Sequence, residues 1–184
     1  PHEYEQLERL ITGDYTTEER ILLDVEVIKE DGSKHYLAVN DAVVARGQLS
    51  KTIDLHLTLD GDEISKYRAD GLLFATPTGS TAYSLSAGGP ILAPKMECIL
   101  MTPVCPHSLF SRSVLFSGES ELSVHVKIPE ECCCVLTIDG EKNVPVLATD
   151  RVVIRKSDLK LKLALLHNRN FYKLLNEKLK ERDF

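Results

Sequence analysis

Two stretches of this chain have residue types that could do chemistry: Asn40-Asp41, and the hydroxyl-rich run Thr76-Pro77-Thr78-Gly79-Ser80-Thr81. An Asn amide both donates and accepts, so Asn40 can read the edge of a nucleobase. A carboxylate such as Asp41 can accept from the two neighbouring hydroxyls of a ribose. The same pair can instead close a strand as an Asx turn, which is the commoner use. In the second stretch, Thr78, Ser80 and Thr81 can each donate to a phosphate or a sugar hydroxyl. Gly79 and Ala82 would allow a ligand close to the backbone. The run also fits a plain helix start, because Ser and Thr are the usual N-caps. It is neither a Walker A loop nor a G-x-G-x-x-G.

Weaker candidates flank these. Arg68 and Asp70 can be a ligand pair or a solvated ion pair of little energetic weight. His107 lies in a loop stiffened by Pro103 and Pro106, and can contact a ligand, carry a proton or bond the loop. The other histidines fall in no metal-ligand spacing, and no Ser/His/Asp nucleophile elbow occurs. Three of the five cysteines are consecutive, Cys132, Cys133 and Cys134. Neighbours in a strand point to opposite faces, so the triplet suits small apolar packing better than one metal.

The elements that must position these groups are mostly strands. Residues 3–12 carry apolar Tyr4, Leu7, Leu10 and Ile11 at helical spacing, with Gly13 as a C-cap. Residues 20–29 and 35–39 read as a hairpin about Asp31-Gly32. Further strands are expected at 43–45, 53–59, 72–75, 98–102, 122–127, 134–138 and 151–155, with turns at Asp60-Gly61 and Asp139-Gly140. Helices are expected at 80–87 and 170–181, the latter with apolar Phe171, Leu174, Leu175 and Leu179. The expected fold is therefore mainly β: a sandwich-like domain of many short strands with a short central helix and a C-terminal helix.

The formal net charge is −6, which argues against nucleic acid or an anionic membrane as a general partner. No apolar run is long enough to span a bilayer. A cytoplasmic location is the default expectation.

At residues 70–92, DGLLFATPTGSTAYSLSAGGPIL resembles the signature of the NAD kinase family. TPVCPHSLFSRSV at 102–114, NDAVVARG at 40–47 and DGEKNVPVLATDRVVIRKSDLKLKLAL at 139–165 are similar to further blocks of that family, in the family's order. The likeness runs from about Leu22 to the C-terminus.

The resemblance implies transfer of a phosphoryl group from ATP, or polyphosphate, to the 2′-hydroxyl of the adenosine ribose of NAD, giving NADP. It implies a dinucleotide site at Asn40, Asp41, Arg68, Asp70, Thr78, Thr81, Ala82, Tyr83, Ser84, Leu85 and Ser86, with Lys51 near a further contact. Glu141 stands where many members carry a Gln, and a carboxylate cannot donate as an amide does. Mg²⁺ or another divalent ion would accompany ATP, with no metal ligand in this chain. A homodimer or homotetramer is implied, its sites completed by a neighbouring subunit.

The family's Gly-Gly-Asp-Gly motif, whose Asp serves as base for the ribose hydroxyl, has no match in these 184 residues. Asp60-Gly61-Asp62 lies in a turn context and is no substitute. The resemblance therefore implies residues 1–19 as a link from an N-terminal Rossmann-like domain, 20–166 as the dinucleotide-binding domain and 167–184 as a returning helix. No catalytic base is expected in this chain, which alone is expected to be inactive. Other readings are an NAD- or NADP-binding module without chemistry, a lipid or sphingoid kinase domain, and a purely structural β domain. A lipid site would want an apolar cleft rather than a run of hydroxyls.

Overall fold

The structure, a computed structural model, describes residues 2–47, 52–108, 111–128, 134–167 and 170–182. The chain divides into two compact units. One comprises Pro1–Arg20 with Leu161–Phe184, the other Ile21–Lys160.

In the first unit, helix α1 (His2–Thr12) ends at Gly13, whose φ of +77° suits a residue without Cβ. The Asp14 N–H closes the end on the Arg9 carbonyl at 2.9 Å, a Schellman pattern. A second helix, Phe171–Arg182, matches the expected C-terminal one.

The larger unit supplies most of two six-stranded sheets. The first has the order β2-β1-β12-β9-β4-β5. Its strands are β1 (Thr16–Lys29), β2 (Gly32–Ala38), β4 (Ile53–Leu59), β5 (Asp62–Ala69), β9 (Leu122–Lys127) and β12 (Arg151–Leu165). The second has the order β11-β10-β3-β6-β7-β8. It is made of β3 (Asp41–Arg46), β6 (Gly71–Ala75), β7 (Cys98–Val104), β8 (Val114–Ser117), β10 (Cys134–Ile138) and β11 (Lys142–Val146).

Strict alternation explains the core. In β4, Ile53, Leu55 and Leu57 are buried while Asp54, His56 and Thr58 are not. Such rows from the first sheet meet Ala42, Val44, Leu72, Phe74, Ile99 and Met101 of the second in one apolar core. The expected mainly β, sandwich-like fold is what the chain adopts. β6 is buried along its whole length, because the far face of its sheet is covered too. There Val43, Leu73, Ala75 and Leu100 pack with Leu92 from the connection after β6. That connection helps to build the site.

Three strands were not expected: β5, β8 and β11. Each is an edge strand, where the pressure for an apolar face is weakest. The expected helix at 80–87 is instead a 3₁₀ turn (Gly79–Thr81) and a single α turn, α2 (Tyr83–Ser86), parted at Ala82. Among the described residues, no helix is long and apolar enough to cross a membrane.

Candidate functional site

The site starts from the link between β2 and β3, Val39-Asn40. On one side stands Asp139, at the end of β10. Its carboxylate accepts three consecutive backbone N–H groups: Val39 at 2.8 Å, Asn40 at 2.7 Å and Asp41 at 3.0 Å. The Asp139 N–H donates back to the Asp41 carbonyl at 2.9 Å. On the other side, the Thr76 hydroxyl donates to the Val39 carbonyl at 2.7 Å, and the Thr76 N–H to that of Asn40 at 2.9 Å. Gly79 donates to the Thr76 hydroxyl at 3.0 Å and lies so close that a Cβ there would overlap the Asn40 carbonyl. Asn40 is thus clamped through its backbone, which leaves its side chain available.

Beside this corner opens a cleft of about 450 Å³. Its walls include Asn40, Asp41, Ala82, Tyr83, Asp139 and Gly140, and its floor Val43, Ala45 and Thr137. Asp41, Val43 and Ala45 share a face of β3 because side chains alternate, and Thr137 pairs with Val43 on β10.

Asp41 is the unusual member. It is only 5% exposed, yet among the described residues no donor reaches its carboxylate. Burial first, and the nearby Asp139 charge second, push its pKa up to about 6. Among the described residues, no Lys, Arg or His lines the cleft. A cavity with two carboxylates and no cation suits neutral hydrogen-bond donors such as hydroxyls, and repels an anion.

The hydroxyl-rich run is used mostly for structure. Ser80 is fully buried; its hydroxyl donates to the Pro77 carbonyl at 2.7 Å and accepts the Leu92 N–H at 3.0 Å. Ser84 bonds Thr102 at 3.0 Å, and Thr102 bonds Ser113 at 3.1 Å. Thr81 donates to the Thr78 carbonyl at 3.3 Å. Among these hydroxyls, that of Thr78 is shielded from water and has no partner. The N–H groups of Gly79, Ser80, Ala82 and Leu85 are likewise taken within the segment. These bonds are what a plain turn or helix start makes of such a run. What it presents to the cleft is Ala82 and the half-exposed Tyr83. Leu85 and Ser86 do not line it.

The remaining expected residues lie apart from the cleft lining. Arg68 does not pair with Asp70; it binds Asp54 at 2.9 and 3.2 Å in an exposed pair. Asp70 pairs with Arg46 through two contacts, at 3.0 and 3.1 Å. Glu141 is exposed on the turn after Gly140, its N–H donating to the Ile138 carbonyl. The His107 N–H donates to the Arg68 carbonyl. Lys51 lies outside the described residues. Among those described, no three His, Cys, Asp or Glu side chains converge to hold a metal ion.

Sequence reasoning missed Asp139, Thr137, Val43 and Ala45. The last two were within reach, since a strand starting at Asp41 must place them on the same face. Asp139 read only as a turn residue, because its partners lie about a hundred residues away.

Residues 39–166 match the model of the ATP-NAD kinase C-terminal domain. The chain belongs to the NAD kinase family. The NAD kinase of Natranaerobius thermophilus is 40% identical over 174 residues, covering 94% of this chain and 60% of that protein. That of Magnetococcus marinus is 40% identical over 179 residues, covering 96% and 58%. The chain thus spans about three-fifths of the length of these relatives. Among solved structures, yeast NADH kinase complexed with NADH superposes with a TM-score of 0.87 at 27% identity, covering 97% of this chain and 54% of that one. An Archaeoglobus fulgidus NAD kinase in complex with ATP gives 0.78 at 26% identity, covering 96% and 65%.

Proposed function

We propose that this NAD kinase chain is the dinucleotide-binding part of an enzyme that transfers a phosphoryl group from ATP, or polyphosphate, to the 2′-hydroxyl of the adenosine ribose of NAD. The cleft beside Asn40-Asp41 takes the nucleoside end of the dinucleotide. One observation carries this: Asp41 is a buried carboxylate that, among the described residues, has no donor and shares its cleft with no cation. Such a group is costly to the fold unless something donates to it. Two vicinal ribose hydroxyls are donors of the right kind and spacing. Asn40 can read the base edge, and the Tyr83 ring offers it an apolar surface. The yeast relative solved with NADH is in keeping with this assignment.

Phosphoryl transfer also needs a base for the attacking hydroxyl and neutralisation of phosphate charge. Gly-Gly-Asp-Gly does not occur in the 184 residues, and no metal-holding cluster stands among those described. The base and the metal-bearing triphosphate site therefore belong to sequence outside this chain, which alone binds without catalysing. The metal arrives with ATP. The working enzyme is a cytoplasmic homo-oligomer in which a neighbouring subunit completes the site. A binding module without chemistry is the second reading, favoured by the same missing motif.

The test is NADP formation from NAD, ATP and Mg²⁺ by the purified chain, beside NAD binding by calorimetry. Binding without turnover, with turnover appearing when a relative's Gly-Gly-Asp-Gly region is fused upstream, is the expected result. Turnover by the chain alone overturns the placement of the base. Absence of binding overturns the cleft assignment.

A further inference from the structure

Asp139 has a backbone φ of +49°, a left-handed conformation that a non-glycine residue adopts at a cost. From there its carboxylate takes the N–H groups of three successive residues, 39 to 41. It is also the charge closest in effect to Asp41. One side chain therefore both fixes the corner and acts on the carboxylate at its end.

We propose that Asp139 is a positioning residue for ligand binding: it sets the directions of Asn40 and Asp41 through their backbones, and its charge, added to the burial of Asp41, strengthens the proton dependence of binding a vicinal diol. This rests on the reading that the cleft takes the nucleoside end of a dinucleotide.

The surroundings isolate the effect. The titratable residues that line the cleft with Asp41, among those described, are Asp139 from the β10–β11 turn and Tyr83 from α2. β6 brings Ala75 opposite Asp41, then Thr76, neither charged. On β3 itself the next charged residue, Arg46, is held by Asp70. Among the described residues, no cation offsets the two carboxylates within the cleft.

Hydroxyls donate to the ionised form of Asp41, so a bound diol favours that form. With the free group titrating at about 6, affinity is at its full value above that pH and falls as pH drops through it. Linkage sets the fall at about tenfold between pH 7.5 and pH 5. Asp139→Asn removes the charge and places an NH₂ donor against one of the three N–H donors. Affinity then falls at every pH by about tenfold, and the pH midpoint moves down. A purely structural role for Asp139 would weaken binding and leave the midpoint in place.

The experiment measures NAD binding by calorimetry on the full chain between pH 5 and pH 8. NAD serves because its pyrophosphate does not titrate in this range, whereas the 2′-phosphate of NADP does. Asp41→Asn serves as a second variant, expected to bind weakly with a flat profile. In a parallel arm that needs no ligand, the Asp41 side-chain carboxyl is titrated by ¹³C NMR, with an expected midpoint of about 6 in the wild type and lower in Asp139→Asn. A downward shift of both midpoints supports the proposal. Binding with a flat wild-type profile, or an unmoved midpoint in Asp139→Asn, overturns it and leaves the cleft assignment standing. If Asp139→Asn does not fold, a flat wild-type profile still overturns it, and a profile abolished by Asp41→Asn supports it. No NAD binding at any pH overturns the cleft assignment, and the proposal with it.

Discussion

Two aspartates in this chain are almost equally buried and serve opposite ends. Asp150 is 2% exposed beside a cleft of about 300 Å³, and Asp41 is 5% exposed beside the larger one. Asp150 is fully provided for. Lys29 reaches it at 2.9 Å and the Leu147 N–H at 3.0 Å, while Lys29 also holds the Pro145 carbonyl at 3.2 Å. Among the described residues Asp41 has no donor, and the nearby charge acting on it is another carboxylate. A compensated buried charge pins loops together, here the β1–β2 and β11–β12 turns. An uncompensated one costs stability, and in a cleft it is open to a ligand's donors.

The sharpest way to break the comparison is to remove the compensated partner. Asp150→Ala leaves the Lys29 ammonium without its carboxylate, and the loss of stability is expected to be about 3 kcal/mol. Urea unfolding checks this, and NAD affinity should stay unchanged. Asp41→Asn should do the reverse. The carboxyl of Asp41 titrates higher in the folded chain than its ordinary 3.8, so its ionisation opposes folding. That opposition is absent below about pH 4 and complete above about pH 6. Asp41→Asn is therefore expected to stabilise the chain at pH 7.5 by about 2 kcal/mol, with the gain vanishing near pH 4. The same change should weaken NAD binding by about 10- to 100-fold. The smallest effect is expected at Arg68. Its pair with Asp54 is largely exposed, so Arg68→Ala should leave the urea midpoint within error. Unchanged NAD affinity in that variant would also separate Arg68 from the site.

Much of the fold was legible because alternation is local. The strands Ile53–Leu59, Leu122–Lys127 and Cys134–Ile138 stand where the pattern put them. The edge strands β5, β8 and β11 were not legible, since an edge strand can carry Lys66, Arg68 or Pro145 without penalty. Within the site, Asn40, Asp41, Ala82 and Tyr83 were picked out and the structure brings them together around one cleft. The hydroxyl-rich run left two readings open, because Ser and Thr satisfy a turn's own backbone as readily as a ligand. Ser80 and Ser84 are spent on Pro77, Leu92 and Thr102. Asp139 could not be found locally, since its role exists only once β10 lies beside β3.

The measurement that tests the account most directly is a ¹⁵N–¹H map of the chain titrated with NAD at pH 7.5. The account predicts saturable shifts at Asn40, Asp41, Ala82, Tyr83, Thr137 and Gly140, with Lys29, Thr149 and Asp150 unmoved. Shifts centred on Lys29 and Asp150 instead, or none at the Asn40-Asp41 corner, would contradict it.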